Sequence, residues 1–277
     1  MRLVTCLTDG ESHVGVRRGD EILPTGYTDM ESLIRDGDVG KRRVQEHVES
    51  AEPLPDVRIT APLLRPGKML FCGMNYHGHV TENPDAVLPE EPFFFSKVAS
   101  SIVGDGDAIV LPYPETETDW EVELALVIGR AARNLDPERA LDHVFGYTIV
   151  NDVSAREIQF KDAQITLGKN LDSYCPMGPD LVTADEFGDP STATVRSYVN
   201  GEMMQDTPTS DMIFDVPHLL AFLTRLMRLE PGDVITTGTP AGVGTFRSPP
   251  RYLQPGDEAT MEVDRIGRLT NSVVAGW

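Results

Sequence analysis

Short strand-like segments dominate the chain from residue 67 onward, and this pattern narrows the possible folds more than any other feature. Seven segments have strand composition and three have helical character. The strand candidates are 69–73, 93–97, 121–128, 145–152, 194–199, 234–237 and 259–263, and the helical candidates are 137–141, 153–160 and 216–227. Because strands and helices do not alternate, the pattern favours an α+β fold with a large mixed sheet over a doubly wound sheet.

The first 62 residues have the composition of a separate small module. Two strand candidates and two helical segments occur there, at 3–7, 12–16, 30–34 and 44–48. A stretch rich in proline follows, with Pro53, Pro55, Pro62 and Pro66. Proline fixes φ and lacks a backbone N–H, so this stretch predicts an extended connector. We therefore predict a small N-terminal α+β domain over 1–62 and a second domain over 63–277.

The charge balance excludes several kinds of partner. Lys and Arg total 24 against 44 Asp and Glu, which gives a net charge of -20. Nucleic acid and anionic membranes bind basic surfaces, so we expect neither as a partner. No apolar run is long enough to cross a bilayer, and Asp9 and Glu11 interrupt any signal core, so we expect a cytoplasmic protein. An anionic substrate would need a local positive centre.

Two glutamates open the most apolar strand candidate, 121–128. Alternation places Glu121 and Glu123 on one face of the strand. Two such carboxylates repel each other unless a cation lies between them, and all-oxygen ligation suits Mg²⁺ or Mn²⁺. A solvated strand face is the alternative. Asp152 ends the next strand candidate and is a candidate third ligand, although an aspartate there can equally cap the following helix.

A histidine and a glutamate form a candidate catalytic pair in 73–84. On a short helix, His79 and Glu82 share a face, and a carboxylate that fixes the histidine tautomer makes it a general base. An exposed contact is the alternative. His77 competes with His79 but has no acid three or four residues after it. The proline-interrupted segment 76–91 predicts a lid that orders over substrate, with an ordinary surface loop as the alternative.

Basic side chains and a glycine-rich segment complete the candidates. Lys97 follows the apolar run 93–96, and Lys169 follows a glycine; each can meet a substrate carboxylate or remain solvated. Arg156 and Gln159 are three residues apart and share a helix face, with a surface ion pair as the alternative for Arg156. The segment 237–244 matches neither a P-loop nor a dinucleotide fingerprint and predicts a tight turn near the site.

In order and spacing, these motifs resemble the fumarylacetoacetate hydrolase family across residues 68–274. The resemblance is carried by Asn75-Tyr76-x-x-His79-x-x-Glu82, Pro92-Phe93-Phe94-Phe95-Ser96-Lys97, Asp119-Trp120-Glu121-Val122-Glu123-Leu124, Asn151-Asp152-Val153-Ser154-Ala155-Arg156, Gly168-Lys169 and Thr237-Gly238-Thr239-Pro240-Ala241-Gly242-Val243-Gly244. The chain departs from many relatives at Ile165 and Asp180, where they carry Trp. These departures bear on substrate identity rather than on the chemistry.

The resemblance implies a mixed, β-roll-like catalytic domain in a homodimer, and it assigns a role to each candidate. It implies Glu121, Glu123 and Asp152 as metal ligands, with Mg²⁺ as the cofactor and Mn²⁺ or Ca²⁺ as alternatives. The implied catalytic residues are His79, Glu82 and Lys169. The implied substrate contacts are Lys97, Arg156, Gln159 and Thr239. The implied partner is a small anionic keto acid.

The implied reaction is hydrolysis of a C–C bond in a small acylpyruvate, a 2,4-diketo acid, through a metal-stabilised pyruvate enolate. Decarboxylation of an oxaloacetate-like acid passes through the same enolate. Keto–enol or double-bond isomerisation, or hydration of a 2-oxo-dienoate, needs only proton transfers at the same site. A non-catalytic binding homologue is disfavoured, because no ligand and neither member of the His–Glu pair is missing.

Overall fold

Strands make up most of the regular structure in the computed structural model, which describes residues 1–83 and 86–276. The strands are β1 (Arg2–Thr8), β2 (Glu11–Arg18), β3 (Glu21–Pro24), β4 (Arg58–Thr60), β5 (Met69–Gly73), β6 (Phe93–Ser96), β7 (Ile102–Val103), β8 (Ile109–Leu111), β9 (Thr118–Asp119), β10 (Val122–Ile128), β11 (Val144–Asn151), β12 (Ser154–Ala155), β13 (Cys175–Thr183), β14 (Thr194–Val199), β15 (Glu202–Pro208), β16 (Val234–Thr236), β17 (Glu258–Val263) and β18 (Gly267–Ala275). The α-helices are α1 (Met30–Val48), α2 (His77–Glu82), α3 (Arg156–Gln159), α4 (Thr166–Lys169), α5 (Ala184–Phe187) and α6 (Val216–Leu226). Short 3₁₀ helices lie at Ala99–Ser101, Pro137–His143, Pro190–Thr192 and Thr209–Asp211.

Most strands belong to two sheets. Among the described residues the larger sheet has eleven strands, in the order β3-β2-β1-β13-β11-β10-β16-β5-β6, with β4 on β1 and β7 on β13. Most of its pairs are antiparallel, while β16–β5 and β13–β7 are parallel. The second sheet has the order β15-β14-β17-β18-β8. Large mixed sheets with few helices confirm the predicted α+β class.

The central strand β10 is buried on both faces. Leu124 and Leu126 belong to a hydrophobic cluster that includes the inner face of the five-stranded sheet. Ala125 and Val127 point the other way and belong to a cluster that includes Leu33 of α1. A strand covered on both faces needs apolar residues at every position, which explains the continuous apolar run in its sequence.

The N-terminal segment extends the large sheet. Strand β1 pairs with β13, with Leu3 opposite Leu181, and the cluster around α1 includes residues from both sides of residue 62. The two helical segments predicted at 30–34 and 44–48 lie on either side of Gly37, whose φ of 54° divides α1 into two helical parts. The domain boundary after residue 62 stays a prediction. Among the described residues, no helix combines the length and apolar character needed to cross a membrane.

The helix predicted over 153–160 is wrong in its first half. Ser154 and Ala155 form β12, which pairs with Asp119 and Thr118 of β9. Their backbone groups are committed to this ladder, so the helix α3 begins only at Arg156. Because β12 pairs with β9, which precedes β10, Arg156 lies near the start of β10.

Candidate active site and metal centre

Three buried carboxylates meet where β10 begins and its antiparallel neighbour β11 ends. Glu121 directly precedes β10, Glu123 is its second residue, and Asp152 directly follows β11. The backbone N–H of Asp152 donates to the carbonyl of Glu121 at 2.9 Å. One oxygen of each carboxylate lies within 4.8 Å of the others. The residues are 5%, 1% and 0% exposed, respectively. The structure thus brings together the three residues that the resemblance implied as metal ligands.

Two buried lysines contact this carboxylate cluster. Nζ of Lys169 donates to Oε2 of Glu121 and to Oδ2 of Asp152, both at 2.7 Å. Nζ of Lys97 donates to Oδ1 of Asp152 at 2.7 Å. Burial acts to lower the pKa of Lys169, but attraction to Asp152 and Glu121 outweighs burial and raises that pKa. Lys169 is therefore a protonated cation at neutral pH, suited to stabilising negative charge rather than to accepting a proton.

Arg156 supplies a third buried cation and is 3% exposed. Its Nη2 donates to Oε1 of Glu121 at 2.6 Å, and its Nη1 donates to Oε1 of Gln159 at 2.8 Å. Its Nε donates to Oδ2 of Asp119 at 2.9 Å. The surface ion pair considered for Arg156 is therefore wrong: the guanidinium bridges two buried carboxylates and orients the Gln159 amide.

Asp119 is a buried member of the site that the sequence reasoning did not select. It is fully buried, and besides Arg156 it accepts the backbone N–H groups of Trp120 at 2.9 Å, Gly244 at 2.6 Å and Thr245 at 3.0 Å. A signal was present in the sequence, because Asp119 precedes Glu121 by two residues. Alternation in a strand would have placed both on the same face.

The cluster holds one more carboxylate than cation. Among the described residues it comprises four carboxylates and three cations: Asp119, Glu121, Glu123, Asp152, Lys97, Lys169 and Arg156. Within the same part of the chain, no Lys or Arg forms a salt bridge with Glu123; its Oε2 accepts the backbone N–H of Gly238 at 3.2 Å. Burial, together with repulsion from Asp152 and Glu121, raises the pKa of Glu123 well above its ordinary value. Burial also acts to raise the pKa of Glu121, but Lys169 and Arg156 outweigh it and lower that pKa.

These residues fit a divalent metal ion. The donor set is all carboxylate oxygen, which suits Mg²⁺ or Mn²⁺. Each carboxylate offers about four lone-pair positions, so its oxygens can bind a cation while they accept from Lys97 or Lys169. The unbalanced charge at Glu123 is the feature that a cation would correct.

The His79–Glu82 pair lies on α2, as the spacing predicts. Nδ1 of His79 lies 3.1 Å from Oε2 of Glu82, and Oε1 of Glu82 accepts the backbone N–H of Gly242 at 2.6 Å. His77 is exposed on the same helix. The structure forms the pair; its catalytic role stays a prediction. The predicted lid, 76–91, includes Pro84 and Asp85, which lie outside the described residues.

The glycine-rich segment after β16 joins the parts of the site through its backbone. Three of its backbone N–H groups, at Gly238, Gly242 and Gly244, donate to the carboxylates of Glu123, Glu82 and Asp119, respectively. Two of the glycines are required by space: a Cβ at Gly242, which has a φ of 108°, would lie 2.1 Å from the carbonyl oxygen of Met204, and a Cβ at Gly244 would lie 1.9 Å from that of Arg251. The predicted tight turn is not formed, because 237–244 is irregular, but the segment is an element of the site itself.

A cavity of about 200 Å³ opens onto the cluster. Seven of the ten residues selected from the sequence line it: His79, Glu121, Glu123, Arg156, Gln159, Lys169 and Thr239. The other three, Glu82, Lys97 and Asp152, contact members of the site directly, as described above. Of the apolar part of the wall, sequence reasoning had singled out Ile165 as bearing on substrate identity, but it assigned no role to Phe93, Phe160 and Phe246.

Comparisons with known proteins identify the family of the chain. The family description "Fumarylacetoacetate (FAA) hydrolase C-terminal" matches residues 68–274. The chain is 40% identical over 273 residues to oxaloacetate tautomerase fahd2, mitochondrial, of Xenopus laevis, covering 97% of this chain and 84% of that protein. It is 44% identical over 224 residues to oxaloacetate tautomerase YisK of Bacillus subtilis, covering 79% and 74%.

Solved structures show the same architecture. A fumarylacetoacetate hydrolase from Exiguobacterium antarcticum superposes with a TM-score of 0.87 at 39% identity, over 99% of both chains. Maleylpyruvate hydrolase from Sphingobium sp. SYK-6, solved with manganese(II) and pyruvate, gives 0.84 at 32% identity over 100% of both chains. The chain is therefore an enzyme of the fumarylacetoacetate hydrolase family.

Proposed function

We propose that the enzyme catalyses keto–enol tautomerisation of a small 2-oxo acid such as oxaloacetate. The observation that carries the proposal is a single cavity that joins a lysine-bonded carboxylate cluster to the His79–Glu82 pair. Its volume of about 200 Å³ lies below the ~300–1,000 Å³ typical of sites for drug-sized ligands, which favours a small substrate. Two relatives at 40% and 44% identity are named oxaloacetate tautomerases.

The His79–Glu82 pair is the proton-transfer group in this proposal. In the tautomer in which Nδ1 of His79 donates to the Glu82 carboxylate, Nε2 is the basic nitrogen. In the enol-to-keto direction, His79 takes the proton of the 2-hydroxyl group and delivers a proton to C3, so no net proton is consumed. Glu82 stabilises the imidazolium that exists between the two transfers.

Charge on the substrate oxygen is the second requirement of the reaction. Lys169 is held protonated by Asp152 and Glu121, and its ammonium group can stabilise the enolate oxygen. We propose that Glu121, Glu123 and Asp152 hold Mg²⁺ or Mn²⁺. When bound, such an ion supplies Lewis-acid stabilisation of the charge on the 2-oxygen. Lys97, Arg156, Gln159 and Thr239 would then orient the remaining substrate oxygens.

Hydrolysis of an acylpyruvate is the second candidate, and the His79–Glu82 pair favours it over decarboxylation. Hydrolysis needs a base for the attacking water, which His79 provides. Water adds to the 4-oxo carbon, the C3–C4 bond breaks, and the products are pyruvate and a carboxylic acid. Decarboxylation of oxaloacetate would need the enolate stabilisation but no base for water. A homodimer and a cytoplasmic location stay predictions.

The test supplies both substrates to the same preparation. Enol-oxaloacetate is diluted into buffer with Mg²⁺ or Mn²⁺, and loss of the enol absorbance is compared with the spontaneous rate. Acetylpyruvate is assayed in parallel for pyruvate and acetate. We expect faster ketonisation that a chelator abolishes. A rate equal to the spontaneous one, with acetylpyruvate cleaved, would replace the first candidate by the second.

A further inference from the structure

Large apolar side chains lie beside the charged part of the cavity wall. They include Met74, Phe93, Phe160, Ile165 and Phe246. Three of them are substantially exposed, Phe160 at 63%, Phe93 at 44% and Met74 at 41%. The exposed members identify this group, which we call the apolar ring, as the outer part of the cavity. Apolar surface that remains exposed around a cavity is typical of a place that contacts an apolar ligand.

Ile165 belongs to the apolar ring although its backbone conformation is unfavourable for isoleucine. Its φ of 55° and ψ of 3° are left-handed, a conformation that is rare for a β-branched residue and easier for Asn or Gly. Asp162 maintains the turn: its carbonyl accepts the N–H of Ile165 at 2.9 Å, and its carboxylate accepts those of Gln164 and Leu167 at 3.0 and 3.3 Å. The backbone thus does not explain an isoleucine at this position, whereas an apolar contact inside the cavity does.

We propose that the apolar ring is a subsite for an alkyl or aryl group carried by the substrate beyond its pyruvoyl unit. This inference rests on the proposed function, which places the pyruvoyl unit at the carboxylate cluster. Oxaloacetate carries only a carboxylate beyond that unit and therefore has no apolar group to place in the subsite. A longer charged tail would lose its hydration at the ring, where the side chains named above offer no polar partner.

The test measures binding of three probes by calorimetry with Mg²⁺ present. Oxamate carries only the pyruvoyl-like carboxylate and oxo groups, N-propyloxamate adds an apolar tail, and N-oxalylglycine adds a charged one. A buried CH₂ group strengthens binding by about fourfold. We therefore expect N-propyloxamate to bind about tenfold or more tightly than oxamate, and N-oxalylglycine to bind no more tightly than oxamate.

Two variants of one turn serve as probe and control. Ile165→Asn keeps a residue that tolerates the left-handed backbone. We expect it to lower the affinity ratio of N-propyloxamate to oxamate by about fivefold or more. Leu167→Ser changes a side chain that is 69% exposed and outside the cavity wall, so its ratio should match the unmodified enzyme.

The outcomes separate the two proposals. Absence of oxamate binding with Mg²⁺ would overturn both the proposed function and the subsite. Oxamate binding without a gain from the propyl group would overturn the subsite alone, as would tightest binding by N-oxalylglycine. If Ile165→Asn and Leu167→Ser have the same affinity ratio of N-propyloxamate to oxamate, Ile165 does not contribute to the subsite.

Discussion

Replacing Glu123 by Gln should stabilise the metal-free protein, although Glu123 is a proposed metal ligand. Folding raises the pKa of this carboxyl above its ordinary 4.5, because of burial and of repulsion from Asp152 and Glu121. The resulting stability is present below the unfolded pKa and is lost as pH rises through the folded pKa. Each pH unit between the two values corresponds to about 1.4 kcal/mol. Gln has a similar shape and no charge, so the variant does not lose stability in this way as pH rises.

The magnitude follows from the geometry of the cluster. At an effective dielectric constant of about 20, two unit charges 4.8 Å apart repel by about 3.5 kcal/mol. Glu123 faces two such charges, and attraction to Lys169 offsets roughly one of them. A buried amide with an unmet donor costs about 1–3 kcal/mol. A net gain of about 2 kcal/mol remains, which is a rise in Tm of about 5 °C for a chain of this size.

Glu121→Gln is the matched control with the opposite sign. Glu121 accepts from both Lys169 and Arg156, and its side chain is 6% exposed. Removing one partner of a buried ion pair costs about 3–5 kcal/mol. We therefore expect its Tm to fall by about 10 °C at neutral pH. The two substitutions are chemically identical and two residues apart, so the difference isolates the charge balance.

The assay is thermal unfolding in EDTA at about pH 5 and about pH 8, repeated with Mg²⁺. The advantage of Glu123→Gln should be larger at the higher pH, and Mg²⁺ should stabilise the unmodified enzyme more than this variant. If Glu123→Gln and Glu121→Gln lower Tm equally in EDTA at pH 8, the charge count around the cluster is wrong.

Three further predictions concern activity. His79→Ala should lower the rates of acylpyruvate hydrolysis and tautomerisation by ~10²–10⁴, the usual contribution of a positioned base, while His77→Ala should be nearly silent. Steady-state rates of the two variants are the measurement, and a larger loss in His77→Ala than in His79→Ala would contradict the assignment. Asp119→Asn should lower kcat by about 10²-fold with a smaller change in KM, because it frees Arg156 from its buried partner; a folded variant with unchanged kcat would assign Asp119 no positioning role. EDTA should abolish activity and Mg²⁺ or Mn²⁺ should restore it, so full activity in excess chelator would refute metal dependence.

The central strands could be predicted from sequence because burial on both faces leaves a strong signal. Predicted strands 121–128 and 145–152 differ by one residue at their ends from Val122–Ile128 and Val144–Asn151. The strand between β1 and β11 was missed. Cys175–Thr183 contains Pro176, Gly178 and Pro179, which argue against a strand. The pairing with β11 jumps from Gly178 to Val182, so part of this Pro- and Gly-containing stretch lies at an irregularity that local composition does not reveal.

The members of the site could be selected from the sequence, but their pairing could not. Same-face spacing identified Glu121 and Glu123 as neighbours, and the family motifs supplied the other residues. Lys97, Lys169 and Arg156 lie on other elements, and their positions in the fold determine which carboxylate lacks a cation. Glu121 and Glu123 occupy equivalent positions in the alternation, yet folding moves the pKa values of the two carboxyls in opposite directions.

The charge count also bears on how an acidic protein can bind an acidic substrate. The chain carries a net charge of -20, but charges beyond about 8–10 Å are largely screened at physiological salt. Within the part of the chain that the structure describes, the cluster has four carboxylates and three cations; with every group charged its net charge is -1, and a divalent ion would change it to +1. The reversal occurs inside a buried site, where charges are screened least. Anion affinity should therefore depend on loading of the metal ion far more than on ionic strength.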